Sequence, residues 1–341
     1  MSRKTVQQQR AGATAGQNSN FHKKNTCESL AARVIAVCNQ KGGCGKTTSV
    51  INIAAGLASL GKRVLVVDLD SQCNATSGLG GGIGSLQSAE GPTDRAAGSE
   101  GAPVLSSFDF MVNAGLPQNQ GSKTSPAAAA YVMQTEYDNL YLMPGSIELS
   151  EFESRIASEI GRENKLKKAL IPLRSKFDFI LLDTPPSLGL ISVNALNAAS
   201  EVQIAMQAHP FALDGLNLLL ETIELVKQEL NPTLFVSGVY ITMFDSRTRI
   251  SQEIRNAVAE IPELKSRIFQ TVIRQNVKVT EATQAKVPVM YYDMFCTGTQ
   301  DYMLLSEEIA KQKFKQSETS AREKQRSKAG QAKQAEKGER P

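Results

Sequence analysis

The stretch Lys41-Gly42-Gly43-Cys44-Gly45-Lys46-Thr47-Thr48 decides the fold of this 341-residue chain. It lies directly between an apolar run at residues 33–37 and a segment at residues 47–60 whose apolar residues fall on one helical face. Glycines let the backbone curl so that successive N–H groups point inward, and the following helix adds its positive N-terminal end. The stretch therefore predicts a phosphate-binding loop between a strand and a helix.

Individual residues of this loop have separate expected roles. The Lys46 ammonium reaches the β and γ phosphates of a nucleotide, and the Thr47 hydroxyl coordinates Mg²⁺. The usual spacing G-x-x-x-x-G-K-[ST] is not met, because Gln40 stands five residues before Gly45, and the loop carries an added lysine, Lys41. The predicted ATP-binding residues are Lys41, Gly42, Gly43, Cys44, Gly45, Lys46, Thr47 and Thr48.

Beyond the loop, short aliphatic runs alternate with amphipathic stretches, which is typical of parallel strands joined by crossover helices. The predicted strands are residues 33–37, 63–67, 140–143, 177–182, 201–206, 234–243 and 267–273. A second helix is predicted at residues 221–230, because Asn231 and Pro232 follow it. The predicted fold class is α/β, with a doubly wound, mostly parallel sheet flanked by helices.

Composition divides the chain into one folded part and three polar segments. The chain is 41% hydrophobic and 21% charged, which is ordinary for a globular protein. We expect a P-loop domain at residues 31–314, a disordered basic arm at 1–30 and a disordered basic tail at 315–341. A Gly-, Ser- and Pro-rich stretch near residues 80–126 predicts a flexible surface insertion.

Composition also argues against several kinds of site. The five cysteines show no C-x-x-C spacing, which argues against a zinc site or a disulfide framework. No apolar run approaches the ~20 residues of a membrane-spanning helix, and the polar N-terminus is unlike a signal peptide. We therefore expect a cytoplasmic protein without a membrane partner. The formal net charge of +4 is too small to establish a polyanionic partner by itself.

Carboxylates follow two of the predicted strands. Side-chain alternation along a strand places Asp68 and Asp70 on the same side, at the carboxyl edge where doubly wound sheets bind their ligands. Asp183 follows the apolar run at residues 179–182 in the same way. Mg²⁺ prefers oxygen ligands and keeps several waters, so an acid at this edge suits a metal site.

The phosphate loop resembles the deviant Walker A sequence, K-G-G-x-G-K-T-T, of the ParA/MinD group of ATPases. In that group the first lysine reaches the nucleotide of the facing subunit, so the resemblance of Lys41 implies a homodimer that sandwiches ATP. The segment from Asp68 to Gln72 is similar to the group's D-x-D-x-Q, which implies that Asp70 orients or deprotonates the attacking water while Asp68 supports the site.

The sequence Asp183-Thr184-Pro185-Pro186 resembles a Walker B end, which implies that Asp183 holds Mg²⁺ through water. Taken with the loop, the resemblance implies a Mg²⁺-dependent ATPase that converts ATP and water to ADP and phosphate. The implied catalytic residues are Lys41, Lys46 and Asp70.

Three later segments, at residues 211–216, 242–249 and 276–282, look like the Soj/ParA branch of the group. In that branch, basic residues near the second and third segments contact the DNA backbone. The resemblance implies non-specific DNA contacts by Arg247, Arg274 and Lys278. It also implies nucleoid association, stimulation of hydrolysis by a ParB-like partner, and segregation of a chromosome or plasmid.

The chain departs from the family pattern at three positions. Ser71 stands where proline is usual and Cys73 where glycine is usual, and neither change bears on the chemistry. Gln275 stands where an arginine is common, which bears on DNA binding. For the three basic residues, a solvated charged face remains the alternative interpretation.

Other functions remain as alternatives. A MinD-like membrane-cycling ATPase needs a C-terminal amphipathic helix, whereas Leu305 and Ile309 lead into a hydrophilic tail. An iron–sulfur protein of this group needs cysteines placed to bridge subunits around a cluster, but only Cys296 lies beyond the Walker B region. A scaffold that uses ATP only as a structural ligand has no need of Asp70 and Lys41.

Overall fold

A computed structural model describes most of the predicted ATPase domain. The described residues are 32–80, 104–113, 126–209 and 212–312. The predicted arm, the predicted tail and most of the predicted insertion lie outside these residues.

The sheet of the described residues confirms the predicted α/β class. Its strands are β1 Arg33–Cys38, β2 Val64–Asp68, β3 Met133–Gln134, β4 Leu140–Met143, β5 Phe179–Asp183, β6 Glu201–Gln207 and β7 Phe235–Thr242. Their order across the sheet is β3-β4-β2-β5-β1-β6-β7, and every pair is parallel except β3 with β4. The direction of winding reverses beside β1, which is where ligands bind in such sheets.

Helices cover both faces of this sheet. They are α1 Lys46–Ser59, α2 Asn74–Leu79, α3 Ser107–Asn113, α4 Phe152–Arg155, α5 Lys165–Leu170, α6 Leu190–Ala198, α7 Ala212–Glu229, α8 Arg249–Glu260, α9 Val277–Gln284, α10 Val289–Tyr292 and α11 Thr297–Lys311. The first predicted helix matches α1 to within one residue at each end, whereas α7 begins well before the predicted residue 221. No helix in the described ranges combines the length and apolarity needed to cross a membrane.

Two apolar layers hold these helices to the sheet. Val34 and Ala36 of β1 belong to one layer, and the alternate residues Ile35 and Val37 belong to the other. The second layer contains α1, which packs between the sheet and α11. The helices come close because Gly56 has no side chain, and a Cβ there would collide with Ser306 of α11.

The segment at residues 267–273 runs beside β7 but is not the strand that the sequence predicts. One isolated bridge joins Ile268 to Val239 of β7, and a second joins Arg274, just after the segment, to Phe244, just beyond β7. Between them, the N–H groups of Gln270 and Thr271 donate to the carboxylate of Glu308 on α11, at 2.8 and 3.2 Å. Because a side chain takes these two donors, the ladder is interrupted and the prediction of a strand was wrong.

Helix α3 lies inside the range near 80–126 where the sequence predicts a flexible surface insertion. Its Phe110 and Met111 side chains are buried in the first apolar layer. The Ser107 hydroxyl is also buried and donates to the main-chain oxygen of Asp68 at 2.6 Å. The prediction of a flexible surface insertion was therefore wrong for residues 107–113, since their apolar side chains anchor them to the core.

Candidate functional site

The phosphate loop leaves the carboxyl end of β1 and enters α1. Gly43 and Gly45 have φ angles of +71° and +84°, in the left-handed region that glycine adopts without strain. The Cys44 carbonyl accepts a hydrogen bond from the Thr242 hydroxyl at 2.8 Å, which ties the loop to β7. Helix α1 has no side-chain cap, so its first N–H groups remain available to an anion.

The two lysines of the loop lie in different environments. Lys46 is 7% exposed, and its ammonium donates to the main-chain oxygen of Lys41 at 3.2 Å. The Lys41 backbone is fixed, because its N–H donates to the Asn39 side chain at 2.9 Å. In the described part of the chain, the Lys41 ammonium has neither a carboxylate nor a hydrogen-bond partner.

A cleft of ≈ 430 Å³ opens at the mouth of the loop. It is lined by Gly42, Gly43, Gly45, Lys46, Thr47 and Thr48 on one side. Its other walls include Asp70, Ser77, Pro186 and Lys286. Lys41 and Cys44 are the two loop residues that do not line it. Cys44 is 1% exposed, which leaves only its main chain for the binding role that the sequence predicts.

Asp183 ends β5 as a buried carboxylate without a partner. It pairs in register with Asp68 of β2, and both residues are 0% exposed. Neither carboxylate oxygen of Asp183 has a hydrogen-bond donor within the described residues. Burial raises the pKa of Asp183 well above its usual range and the charge of Asp68 adds to this, while Thr47 and Lys46 oppose it.

Asp68, in contrast, is fully engaged with the protein. Its carboxylate accepts from the N–H and hydroxyl of Thr76 at 2.8 and 2.6 Å, and from the Asp70 N–H at 3.1 Å. Burial raises the pKa of Asp68 to about 6, and these hydrogen bonds oppose the rise. Because it holds the backbone of Asp70, Asp68 suits the supporting role that the resemblance implies.

Asp70 itself faces the cleft. It is 8% exposed, and one carboxylate oxygen accepts from the Gln72 N–H at 3.0 Å. Thr76, which the sequence analysis did not single out, accepts from the Gly145 N–H at 2.7 Å and so joins the Asp70 loop to the end of β4. No local sequence signal marks Thr76, and one of its partners, Gly145, comes from a distant part of the chain.

These groups fit a magnesium ion. Two buried oxygens without donors are costly unless a cation meets them, and carboxylate and hydroxyl oxygens are the ligands that Mg²⁺ prefers. Thr47 lines the same cleft and lies close enough to Asp183 to lower its pKa. The described residues contain no cluster of three or more acidic, histidine or cysteine side chains that could hold a metal alone. Phosphate and water oxygens would therefore complete the shell.

The buried acids predict how stability depends on pH. The pKa of Asp68 is about 6 in the folded chain, against 3.8 for the free side chain, so the folded state holds this proton more tightly. Stability without Mg²⁺ should then fall as pH rises from about 4 to about 6. We expect Asp183→Asn to raise the free energy of unfolding by about 1–3 kcal/mol near pH 7.5, because it removes an unpaired buried charge.

Thermal unfolding in EDTA, near pH 4 and near pH 7.5, measures this effect. The gain should be much smaller at the lower pH, where the folded chain holds the acids protonated and the unfolded chain holds them partly protonated. Asp178→Asn is the matched control, since Asp178 is an exposed carboxylate that accepts from the Arg63 N–H at 2.8 Å. A loss of stability in Asp183→Asn near pH 7.5 would contradict the assignment.

Two of the predicted DNA contacts form exposed ion pairs within the chain. Arg247 is 87% exposed and lies 2.8 Å from the carboxylate of Asp245, whose pKa the arginine lowers to about 2. Lys278 is 45% exposed and lies 2.8 Å from Glu281 in the next turn of α9. Exposed pairs of this kind are weak, so either cation can be shared with a phosphate.

Arg274 has a more structural setting. Its guanidinium contacts both carboxylate oxygens of Asp301 on α11, at 2.5 to 3.1 Å, and its N–H donates to the same side chain at 2.9 Å. The Asp301 side chain is 5% exposed. The pair anchors the segment that follows residue 273 to α11. A bridge with Phe244 also brings Arg274 beside the loop that carries Arg247.

Comparison of the sequence with known proteins gives a consistent set of relatives. The family model described as AAA domain matches residues 32–236. The sporulation initiation inhibitor protein Soj of Bacillus subtilis is 36% identical, over 82% of this chain and 98% of its own length. The chromosome-partitioning ATPase Soj of Treponema pallidum is 38% identical, over 81% of this chain and 96% of its own length.

Solved structures with the same architecture include two nucleotide complexes. Cobyrinic acid a,c-diamide synthase of Mycobacterium smegmatis, with bound ADP and magnesium, has a TM-score of 0.61 and 30% identity over 81% of this chain and 93% of its own. The septum site-determining protein MinD of Pyrococcus horikoshii, complexed with Mg-ADP, has a TM-score of 0.59 and 22% identity over 82% of this chain and 96% of its own. The second likeness concerns the fold alone.

Proposed function

This chain belongs to the AAA-domain family and to its Soj/ParA branch of chromosome-partitioning ATPases, and from that premise we propose that it works as an ATP-sandwiched dimer that binds DNA. Binding of Mg²⁺ and ATP brings two subunits together, and the closed dimer binds DNA without regard to sequence. Hydrolysis of ATP then releases the DNA and lets the subunits separate. A ParB-like partner accelerates the hydrolysis. The cargo is a chromosome or a plasmid, and the protein acts in the cytoplasm on the nucleoid.

The observation that carries the dimer is the placement of Lys41. Of the two loop lysines, Lys46 lines the cleft of its own chain, whereas Lys41 does not. The Lys41 backbone is held by Asn39 while its ammonium has no partner in the described residues. An ammonium without a partner, carried on a held backbone and outside the cleft of its own chain, supports a contact with the nucleotide of a facing molecule. There it would offset charge on the transferring phosphoryl group.

The residues within one chain divide the remaining work. The loop N–H groups and the Lys46 ammonium bind the phosphates, while Thr47 and Asp183 hold Mg²⁺, Asp183 acting through water. Bound there, the metal would offset negative charge on the phosphates. Asp70, held by Asp68, accepts a hydrogen bond from the attacking water and aims it at the γ phosphate. Loss of the γ phosphate removes the ligand that favours the closed dimer.

For DNA, we propose that Arg247 and Lys278 make the phosphate contacts and that Arg274 contributes mainly by anchoring the segment between them. The partners support this division, because the carboxylate that pairs with Arg274 is buried, whereas those that pair with Arg247 and Lys278 are partly exposed. Contacts with phosphates alone carry no sequence information, and they weaken steeply as salt rises.

Gel filtration with and without a non-hydrolysable ATP analogue tests the dimer. The parent should elute as a dimer only with the analogue and Mg²⁺, because the nucleotide is the link between subunits. Lys41→Ala should bind the analogue and remain a monomer. The matched control is Lys62→Ala, which removes a lysine just beyond the opposite end of α1 and should dimerise like the parent. A Lys41→Ala variant that dimerises normally would overturn the proposed arrangement.

The same samples test DNA binding at two salt concentrations. The dimer should bind unrelated duplexes equally, and affinity should fall at least about tenfold between low and physiological salt. Arg247→Ala should weaken binding to all sequences alike and reduce the salt dependence. Binding that survives salt or prefers one sequence would contradict the proposal. Binding of the dimer to anionic vesicles but not to DNA would favour the membrane-cycling alternative.

A further inference from the structure

The N-terminus of helix α6 is capped by a side chain from another element. Glu153, on α4, accepts a hydrogen bond from the Leu190 N–H through its Oε1 atom at 2.5 Å. The residue at the cap position of α6 itself is Gly189, which offers no side-chain acceptor. A carboxylate at this place satisfies a free N–H and also favours the positive end of the helix.

The capped helix follows the loop that leaves the candidate magnesium ligand. Residues 184–189 connect Asp183, at the end of β5, with the start of α6. Pro186 in this loop lines the cleft. Further along, the Ser192 hydroxyl donates to the Ser187 main-chain oxygen at 2.5 Å, which ties the loop to the first turn of α6. The cap therefore fixes the end of residues 184–189 that joins α6, while the other end follows the candidate magnesium ligand Asp183.

Gly189 shows the same contact from the side of the helix. A Cβ placed there would collide with the Oε1 atom of Glu153. The backbone does not itself demand glycine, because φ is −75° and ψ is −170°, which any residue adopts. The missing side chain thus leaves room for the carboxylate.

We propose that Glu153 is a positioning residue for ATP hydrolysis, a latch that fixes residues 184–189 relative to the cleft. The proposal rests on the proposed function for the reaction that it serves. Glu153 does not line the cleft, so it acts through the loop and not on the nucleotide. Loss of the latch should lower kcat while leaving the affinity for ATP nearly unchanged, since the phosphate loop lies elsewhere.

Two substitutions disrupt the latch from opposite sides. Glu153→Ala removes the acceptor, and Gly189→Ala leaves the acceptor but displaces it. Loss of a helix cap shifts the capped population by about threefold to tenfold, and we expect kcat of each variant to fall by about that factor. The double variant should be no slower than either single one, because both changes break the same contact. Glu153→Gln, which keeps an acceptor oxygen, should retain most of the activity.

Amide hydrogen exchange at Leu190 tests the latch without reference to catalysis. The Leu190 N–H should exchange slowly in the parent and in Glu153→Gln, and faster in both alanine variants. If Leu190 loses protection while kcat stays at the parent value, the positioning role is wrong. If the effects of the two alanine substitutions on kcat add, the latch is not their common cause, and this proposal is also wrong. A parent protein that lacks ATPase activity would instead contradict the proposed function, while exchange at Leu190 still reports whether the latch exists.

Discussion

Lys46→Ala should weaken the binding of Mg²⁺-ATP by about 100-fold or more. The Lys46 ammonium is nearly buried beside the phosphate loop and donates to a main-chain oxygen of that loop. Two charge-assisted hydrogen bonds to phosphate oxygens are worth about 3 kcal/mol together, which corresponds to this factor. Titration calorimetry with a non-hydrolysable ATP analogue measures the loss directly.

Lys41→Ala is the matched control for that measurement. It removes the same functional group from the same loop, but from a position that does not line the cleft of its own chain. Its affinity for the analogue should stay within about threefold of the parent at protein concentrations too low for dimers. If Lys41→Ala and Lys46→Ala lose affinity equally, the separate roles assigned to the two lysines are wrong.

Asp70→Ala should lower kcat by about 100-fold to 10,000-fold, the range for loss of a group that orients or deprotonates a nucleophile. Asp70 lines the cleft, and its backbone is held by the buried carboxylate of Asp68. The variant should still bind ATP and dimerise, because the phosphate loop is intact. We therefore expect a dimer that remains on DNA after addition of ATP, where the parent cycles off.

Phosphate release measures the rate, and the lifetime of the DNA complex measures the trapped state. Asp138→Ala, a substitution of an exposed acid before β4, should behave like the parent in both. Hydrolysis by Asp70→Ala at the parent rate would show that another group activates the water. Loss of nucleotide binding in this variant would show that Asp70 mainly supports the cleft.

Local signals predicted the parts of the site that a single strand or loop can specify. The glycines and lysines of residues 41–48 are contiguous, so their spacing alone indicates a phosphate loop. The position of Asp68 and Asp183 at one edge was predicted, because parallel strands bring their carboxyl ends together, whereas their direct pairing across β2 and β5 is seen only in the structure. Short aliphatic runs predicted most of the strands, because each run is also a local signal.

Contacts between distant segments explain what the sequence did not predict. Residues 267–273 have the composition of a strand, but Glu308 of α11 takes two of their N–H groups. Phe110 and Met111 of α3 lie within a polar stretch of sequence, so their burial in the core was not predicted. Arg274 remains partly exposed, but its pairing with the buried Asp301 carboxylate of α11 could not be read from the sequence. None of these partners lies within one helical turn of the residue that it controls.

The interruption of the ladder by Glu308 has a consequence for how copies of the molecule can associate. An open sheet margin with a full row of unpaired donors can recruit a strand from another molecule and grow without limit. Beyond β7 the margin is occupied by an irregular segment, two of whose donors already serve a carboxylate. Neighbouring copies therefore cannot fuse their sheets at this margin.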